Sequence, residues 1–158
     1  MSGWQFKGIE KASFQEPLFL SLIMFISYFT GSIFDYFAYI QNFTAYLYPN
    51  GFYLLLDILT ILFISHVVKV RTRQGELCKN YLLIGLSFNS LFFLIIQIDF
   101  ALIYEGVRER EPWWFWYVFP IGVNTSDGVM ILVLLLHRDF LKINDLIIKR
   151  KDLSYKTP

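Results

Sequence analysis

Four aspartates lie inside long apolar stretches, one in each of four such stretches. They are Asp35, Asp57, Asp99 and Asp127. A charged side chain at the centre of a bilayer costs about 2.5–3.5 kcal/mol on insertion scales, so such residues normally face the interior of a helical bundle. Several acids in one low-dielectric site could bind a small cation or a polar ligand, and they favour keeping at least one carboxyl protonated. The aspartates therefore predict a site that binds a ligand, an ion or a proton.

A run of four polar residues, Asn124 to Asp127, interrupts the fourth apolar stretch near its middle. Asn124 and Asp127 are three residues apart, so they share one face if the helix continues through them. Pro120 removes a backbone donor and clashes with the preceding turn, and Gly122 and Gly128 add flexibility. Several transporters build ion sites on a helix that is broken near the midplane. We therefore expect Asn124 to join the four aspartates as a binding residue.

The elements that must position these side chains are membrane-spanning helices. The chain has 158 residues, of which 56% are hydrophobic and 20% aromatic. About 20 helical residues cross a ~30 Å hydrocarbon core, and four stretches qualify as spans, at about 17–40, 52–70, 81–104 and 113–136. Backbone groups must be paired inside a bilayer, so the spans are helical. With short connections, the expected fold is all-α: residues 1–158 form a single domain, an integral membrane up-down four-helix bundle.

The distribution of Lys and Arg predicts the orientation of the bundle. Two precede the first span, four lie in or beside the second loop and six follow the fourth span, against none in the first loop and two in the third. Because these residues favour the cytoplasmic side, both termini are expected there, or on the matrix or stromal side of an organelle. The basic tail, residues 137–158, is expected to be an interfacial amphipathic helix or an extension of the fourth span. On the other side, Asn42 fits the N-glycosylation pattern.

This orientation places the acids at two depths. Asp35, Asp57 and Asp99 each lie about five or six residues from the outer end of their spans, ~7–9 Å below the outer surface. Asp127 lies about fourteen residues into its span, ~20 Å deep. One interpretation is a polar funnel that opens outward, with three carboxylates at one level and Asp127 with Asn124 below them. The alternative is structural, because polar groups that bond neighbouring helices hold a bundle together at about 0.6–2 kcal/mol each.

The sequence contains no catalytic motif and no cofactor motif. One cysteine and two histidines, on different elements, predict neither a metal site nor an internal disulfide. The net charge of +1 gives no reason to expect a nucleic-acid partner. The expected partners are the lipid bilayer, a small ligand or cation and, because the soluble segments are short, other membrane protein subunits.

Three classes of function remain open. The first is a small membrane protein whose outward-facing acidic site binds or passes a small cationic or lipidic ligand, or protons. The second is a non-catalytic structural subunit of a larger membrane complex. The third is a membrane protein that modifies or binds a sterol or another lipid.

For the third class, some residues of the chain resemble a known family. The stretch from Phe34-Asp35 to Tyr48-Pro49, together with Tyr117 to Pro120, is similar to the EXPERA group of sterol isomerases and sigma-2-type receptors. The resemblance implies four spans with cytoplasmic termini and a sterol-binding or sterol-modifying activity. It also implies that Asp35 and Asp57 pair with a ligand amine or a carbocation. The histidine–glutamate pair of that group has no counterpart in these spans.

Overall fold

The computed structural model describes the backbone of residues 3–40, 48–104, 114–139 and 141, and the side chains of 15–37, 40, 50–103, 114–139 and 141. Its helices are α1 (Gly3–Ile40), α2 (Tyr48–His66), α3 (Arg73–Tyr104) and α4 (Trp114–Leu136). The described part of the chain contains no strand. The prediction of an all-α four-helix bundle is therefore confirmed.

Three helices contain a stretch that is long and apolar enough to cross a membrane. These stretches are Gln15–Phe37, Arg73–Ile103 and Trp114–Leu136, and α2 adds a shorter one, Asn50–His66. Their length and composition are those of a membrane protein. The side on which each terminus lies stays a prediction. The first and third loops, Asn42 and the tail beyond residue 141 lie outside the described residues.

Three helices begin earlier than hydropathy predicts, and the shifts are largest for α1 and α3. α1 begins at Gly3 and continues through Pro17 for 38 residues, which is about 57 Å. α3 begins at Arg73 instead of near residue 81, so much of the predicted basic loop is helical. Thr72 accounts for this start, because its Oγ1 accepts a hydrogen bond from Gly75 N at 3.0 Å, as an N-cap does.

One carboxylate joins α1 to the start of α3. Glu16 Oε1 accepts a hydrogen bond from Arg71 N at 2.8 Å, and its Oε2 accepts from Thr72 N at 3.0 Å and from Thr72 Oγ1 at 2.5 Å. A negative charge is favourable beside the free N–H groups of a helix N-terminus. We name this contact the Glu16 clamp. It lies at the lower end of the bundle, where α2 ends and α3 begins; α2 and α4 begin at the upper end.

We expect Glu16→Gln to lower the free energy of unfolding by about 1–2 kcal/mol, because a neutral amide has one acceptor oxygen where the carboxylate uses two. Equilibrium unfolding of the purified protein in detergent measures this loss. Thr72→Ser keeps the capping hydroxyl and should stay within about 0.5 kcal/mol of wild type. A Glu16→Gln protein as stable as wild type would contradict the clamp.

α3 is the central helix, because one of its faces packs on α2 and another on α4. On the α2 side, Lys79 Nζ donates to Val68 O at 2.7 Å. Two heptads further on, the Phe93 ring stacks on Tyr53 with centroids 5.5 Å apart. Spacings of seven keep residues on one helix face, so a single stripe of α3 follows α2 from the lower end to the upper end.

The α4-facing stripe of α3 has the same period. Cys78, Gly85 and Phe92 are spaced by seven, and each contacts α4. Cys78 Sγ lies 3.8 Å from Val133 O, Gly85 O accepts a hydrogen bond from an α4 serine at 3.2 Å, and the Phe92 ring lies 5.3 Å from that of Phe115. Asn89 follows Gly85 by four residues and precedes Phe92 by three, so it points into the α3–α4 interface.

The core has two apolar parts. The lower part is aliphatic and sulfur-containing, and includes Leu20, Met24, Ile64, Leu82, Leu86, Met130 and Val133. The upper part is aromatic, and includes Tyr53, Phe92, Phe93, Phe115 and Phe119. Between them the helices carry polar side chains, which form the candidate site described below.

α4 is continuous from Trp114 to Leu136, through Pro120 and the whole polar run. Of the two possibilities that the sequence left open, a continuous helix or a break near the midplane, the structure shows the continuous helix. Pro120 lacks an N–H, so one carbonyl of the preceding turn loses its helical partner. The other hydrogen bonds of the helix hold on both sides of this position, and the polar residues stay on helical backbone.

α4 packs closely on α3 at Gly122. A Cβ built there would lie 2.6 Å from Phe92 Cε1, in a ring that packs between Phe88 and Phe115. Because that ring has little room to move, we expect Gly122→Ala to cost about 1–3 kcal/mol of stability. A Cβ at Gly128 would meet nothing within 4 Å, so Gly128→Ala should be neutral or stabilise by up to about 1 kcal/mol. Thermal unfolding that shows equal effects of the two changes would contradict this packing.

Candidate functional site

Each helix contributes one polar side chain to a layer between the two apolar parts of the core. The four residues are Tyr28 of α1, Asp57 of α2, Asn89 of α3 and Asp127 of α4, which we name the polar layer. Asp127 Oδ1 accepts two hydrogen bonds, from Tyr28 OH at 2.5 Å and from Asn89 Nδ2 at 2.7 Å. A single carboxylate oxygen therefore joins α1, α3 and α4.

Asp57 enters the polar layer from α2. The residue is only 6% exposed, and its carboxylate lies close enough to Asp127 and Tyr28 to interact with both electrostatically. Its Oδ2 is buried and has no hydrogen-bond partner among the described residues. The buried Asp57 carboxylate thus lies within electrostatic range of the half-buried Asp127, which is costly unless a positive charge or a proton offsets one of them.

Asn89 supplies a second free oxygen to the polar layer. The residue is 1% exposed, and its amide nitrogen donates to Asp127. Only the nitrogen of a carboxamide can donate, so Oδ1 points away from that carboxylate. This oxygen is also buried and has no partner in the described part of the chain. The layer therefore presents a carboxylate oxygen and a carboxamide oxygen that accept no hydrogen bond from the described residues.

A stripe along α2 sets the direction of Asp57. Its members recur at spacings of four, three and four, which keeps them on one side of a helix: Tyr53, Asp57, Thr60 and Ile64. Thr60 Oγ1 donates to Ser27 Oγ of α1 at 3.0 Å, and Ile64 is fully buried. Since its neighbours on this stripe face the other helices, Asp57 points into the bundle as well.

Asp57 lies further from the start of its helix than we expected from hydropathy. The expected span starts near residue 52, whereas α2 begins at Tyr48. Asp57 is therefore nine residues after the first residue of its helix, or about 14 Å along it. Antiparallel packing places it level with Asn89 and Asp127, and Asp35 lies about one turn above.

The two remaining acids have partners nearer the upper end. Asp35 Oδ2 accepts a hydrogen bond from Tyr53 OH, and Asp99 Oδ2 accepts one from Trp116 Nε1 at 2.6 Å. Asp35 is exposed, whereas Asp99 is buried. The structure thus brings Asp57 and Asp127 together and bonds Asp35 and Asp99 to separate aromatic side chains.

Asn124 lies exposed on α4. In a continuous helix, residues three apart differ by roughly 60° in direction, and here this difference turns Asn124 outward while Asp127 points inward. Tyr28 and Asn89 are the residues of the layer that sequence reasoning missed. Asn89 carried a detectable signal, because a carboxamide inside an apolar stretch needs a partner in the interior. Tyr28 carried none, since aromatic residues are frequent throughout this chain.

The chemistry of the layer follows from its atoms. In the described residues, no group of three or more His, Cys, Asp or Glu side chains could hold a metal ion. The layer instead combines two carboxylates with an amide oxygen and a phenol. Such oxygen groups attract hard cations and exchange protons.

No protein family, no curated protein and no solved structure matches this chain. Its function is therefore inferred from the polar layer itself. The resemblance to the EXPERA group stays a prediction. Of the two residues that it implies, Asp35 bonds to Tyr53 and Asp57 faces Asp127.

Proposed function

We propose that this protein binds a small cation, a metal ion or a proton, at the polar layer inside the membrane. The proposal is carried by the neighbouring carboxylates of Asp57 and Asp127 and by two buried oxygens, Asp57 Oδ2 and Asn89 Oδ1, that have no hydrogen-bond partner among the described residues. A buried charge without a counter-charge is strongly unfavourable. A bound cation would relieve the repulsion between the carboxylates and would use the free oxygens of Asp57 and Asn89.

The donor set favours a hard cation. Carboxylate and carboxamide oxygens suit alkali and alkaline-earth ions, whereas softer metals favour the nitrogen and sulfur of His and Cys. Tyr28 and Asn89 both donate to Asp127 Oδ1. These bonds hold the carboxylate in one orientation, as hydrogen bonds behind the ligands of an ion site generally do.

Asp35 and Asp99 have a different part in this proposal. Both carboxylates lie toward the upper end of the bundle, above the polar layer. Acids on the low-dielectric walls of a cleft raise the local concentration of cations. We assign the exposed Asp35 the attraction of the cation, and Asp57 and Asp127 its binding, whereas Asp99 is buried and holds Trp116. Asn124 falls outside the proposed site, because it is exposed on α4.

The test is thermal unfolding of the protein purified in detergent, in lithium, sodium, potassium or calcium chloride. Choline chloride at matched ionic strength is the reference, at an acidic and at an alkaline pH. A bound cation should add about 2.7 kcal/mol of stability when it is present at roughly 100 times its Kd. Asp57→Asn and Asp127→Asn should each remove most of this gain. If the cation is a proton, the two variants should instead lose the response to pH in choline chloride.

Asp99→Asn is the matched control. It removes one carboxylate charge from the bundle and keeps an oxygen that can accept from Trp116, so the response to cations should persist. The proposal is wrong if no salt stabilises the wild-type protein and its pH response equals that of Asp57→Asn. The polar layer would then be an interhelical contact. Such a result would favour the second class of function, a structural subunit of a larger membrane complex.

A further inference from the structure

Two more buried oxygens without partners lie on α3, at and above the level of the polar layer. They are Ser90 Oγ and Gln97 Oε1, neither of which has a hydrogen-bond partner among the described residues. The two residues are seven apart, so they share a helix face about two turns long. Phe93 lies between them on that face, and its stacking on Tyr53 shows that the face packs on α2.

Gln97 marks the upper end of this face. It lies beside Gly51 in the first turn of α2, where a Cβ would come within 3.3 Å of Gln97 Oε1. The glycine thus leaves room for the carboxamide between the two helices. Ser90 marks the lower end, because it follows Asn89 directly and lies level with Asp57.

Tyr53 closes the space between these two positions. Its ring stacks on Phe93 of α3 at an angle of 14° between ring planes. Its other side lies against α1 at Gly31, where a Cβ would come within 2.6 Å of Tyr53 Cε1. The hydroxyl bonds to Asp35. The ring therefore fills the junction of α1, α2 and α3, one helical turn above Asp57.

We propose that the interface of α2 and α3 is the access path to the polar layer, with Gln97 and Ser90 as its oxygen ligands and Tyr53 as its gate. The proposal rests on the proposed function, since it names the route by which the cation reaches Asp57. The ligand class is a small hard cation that exchanges water for protein oxygens step by step, as ions do along selective pores. Gln97 binds it above the gate, and Ser90 receives it below.

Asp35 couples the cation to the gate. This carboxylate is exposed and accepts the hydrogen bond that holds the Tyr53 ring in place. A cation that pairs with Asp35 competes with the phenol for the same oxygens, and the freed ring can then turn away from Phe93. The ring returns when the cation has passed to Ser90 and Asp57.

The test is the reactivity of single cysteines toward a small cationic methanethiosulfonate reagent that does not cross membranes. Cys78 is the single cysteine of the chain and is buried, so Cys78→Ala supplies a background without thiols. Gln97→Cys and Ser90→Cys report the path above and below the gate, in protein reconstituted in lipid nanodiscs. Ile96→Cys is the control, because Ile96 adjoins Gln97 and is only 3% exposed.

We expect rapid modification at Gln97→Cys, slow modification at Ser90→Cys and almost none at Ile96→Cys. Tyr53→Ala should raise the rate at Ser90→Cys about tenfold, which the loss of one aromatic contact permits, and should leave the rate at Gln97→Cys unchanged. Phe93→Ala removes the other half of the stack from a different helix, and it should give the same acceleration if Tyr53→Ala does not fold.

Two results would overturn the path. One is a Ser90→Cys rate that neither gate variant changes. The other is modification at Ile96→Cys as fast as at Gln97→Cys, since reaction would then not follow the α2-facing stripe. Neither result depends on the cation, so stabilisation of the wild-type protein by a salt would still support the proposed function. Loss of that stabilisation with gated reactivity intact would reject the cation and keep the path.

Discussion

Asp57→Asn is expected to make the protein more stable in cation-free buffer at alkaline pH, by about 1–3 kcal/mol. The wild-type residue buries a carboxylate oxygen without a donor, opposite Asp127. The change removes the repulsion and keeps the shape of the side chain. For a chain of this size, the gain corresponds to a rise in melting temperature of several degrees. The same substitution should abolish stabilisation by cations.

A substitution that abolishes binding and raises the stability of the protein indicates a functional residue, because functional groups are often retained although they destabilise the fold. The structural interpretation of the aspartates predicts the opposite sign. If Asp57 holds the helices together, Asp57→Asn should lower the melting temperature in every buffer. That result would reject the cation site at Asp57.

Asp127→Ala should have the opposite effect and a larger one. Asp127 accepts hydrogen bonds from Tyr28 and Asn89, and its removal leaves both donors without an acceptor. A buried donor without a partner costs roughly 1–3 kcal/mol, which applies fully to Asn89 at 1% exposure and partly to Tyr28 at 37%, so the loss should reach about 2–4 kcal/mol. Equilibrium unfolding in detergent, in the absence of added cations, measures it.

Asn124→Ala is the control on the same helix, because Asn124 is exposed and three residues away. It should change the stability by less than about 0.5 kcal/mol. Combining Tyr28→Phe with Asp127→Ala should cost less than the sum of the two single changes, because both remove the same hydrogen bond. Strict additivity would contradict the contact between α1 and α4.

Hydropathy was enough to predict the number of helices and their up-down order. A charge in the bilayer is costly, and this rule predicted that all four aspartates face the interior. Asp57 and Asp99 are buried and Asp127 is half-buried, whereas Asp35 is exposed. The rule acts on each residue separately, so it needs no knowledge of the neighbouring helices. It is therefore strongest for the question of whether a side chain faces inward.

The rule does not predict which interior residues contact one another. That depends on where each helix begins, and Tyr48, Pro49 and Gly51 predicted a turn, although they lie in the first turn of α2. Proline is tolerated there because the first N–H groups of a helix have no helical partner. This shift of one turn changes the distance of Asp57 from the start of its helix. Asn89 entered the site through the rotation of α3, which no local pattern encodes.

The Glu16 clamp has a consequence for the synthesis of the protein. The carboxylate bonds to Thr72, which follows it by 56 residues. α1 therefore lacks this contact while α2 is being synthesised. At about 5–20 residues per second, this interval lasts roughly 3–11 s. During it, Glu16 must be held by water or lipid headgroups. The Glu16 clamp can therefore form only after the start of α3 has been synthesised. The contact between α1 and α3 at the lower end of the bundle thus forms late in biogenesis.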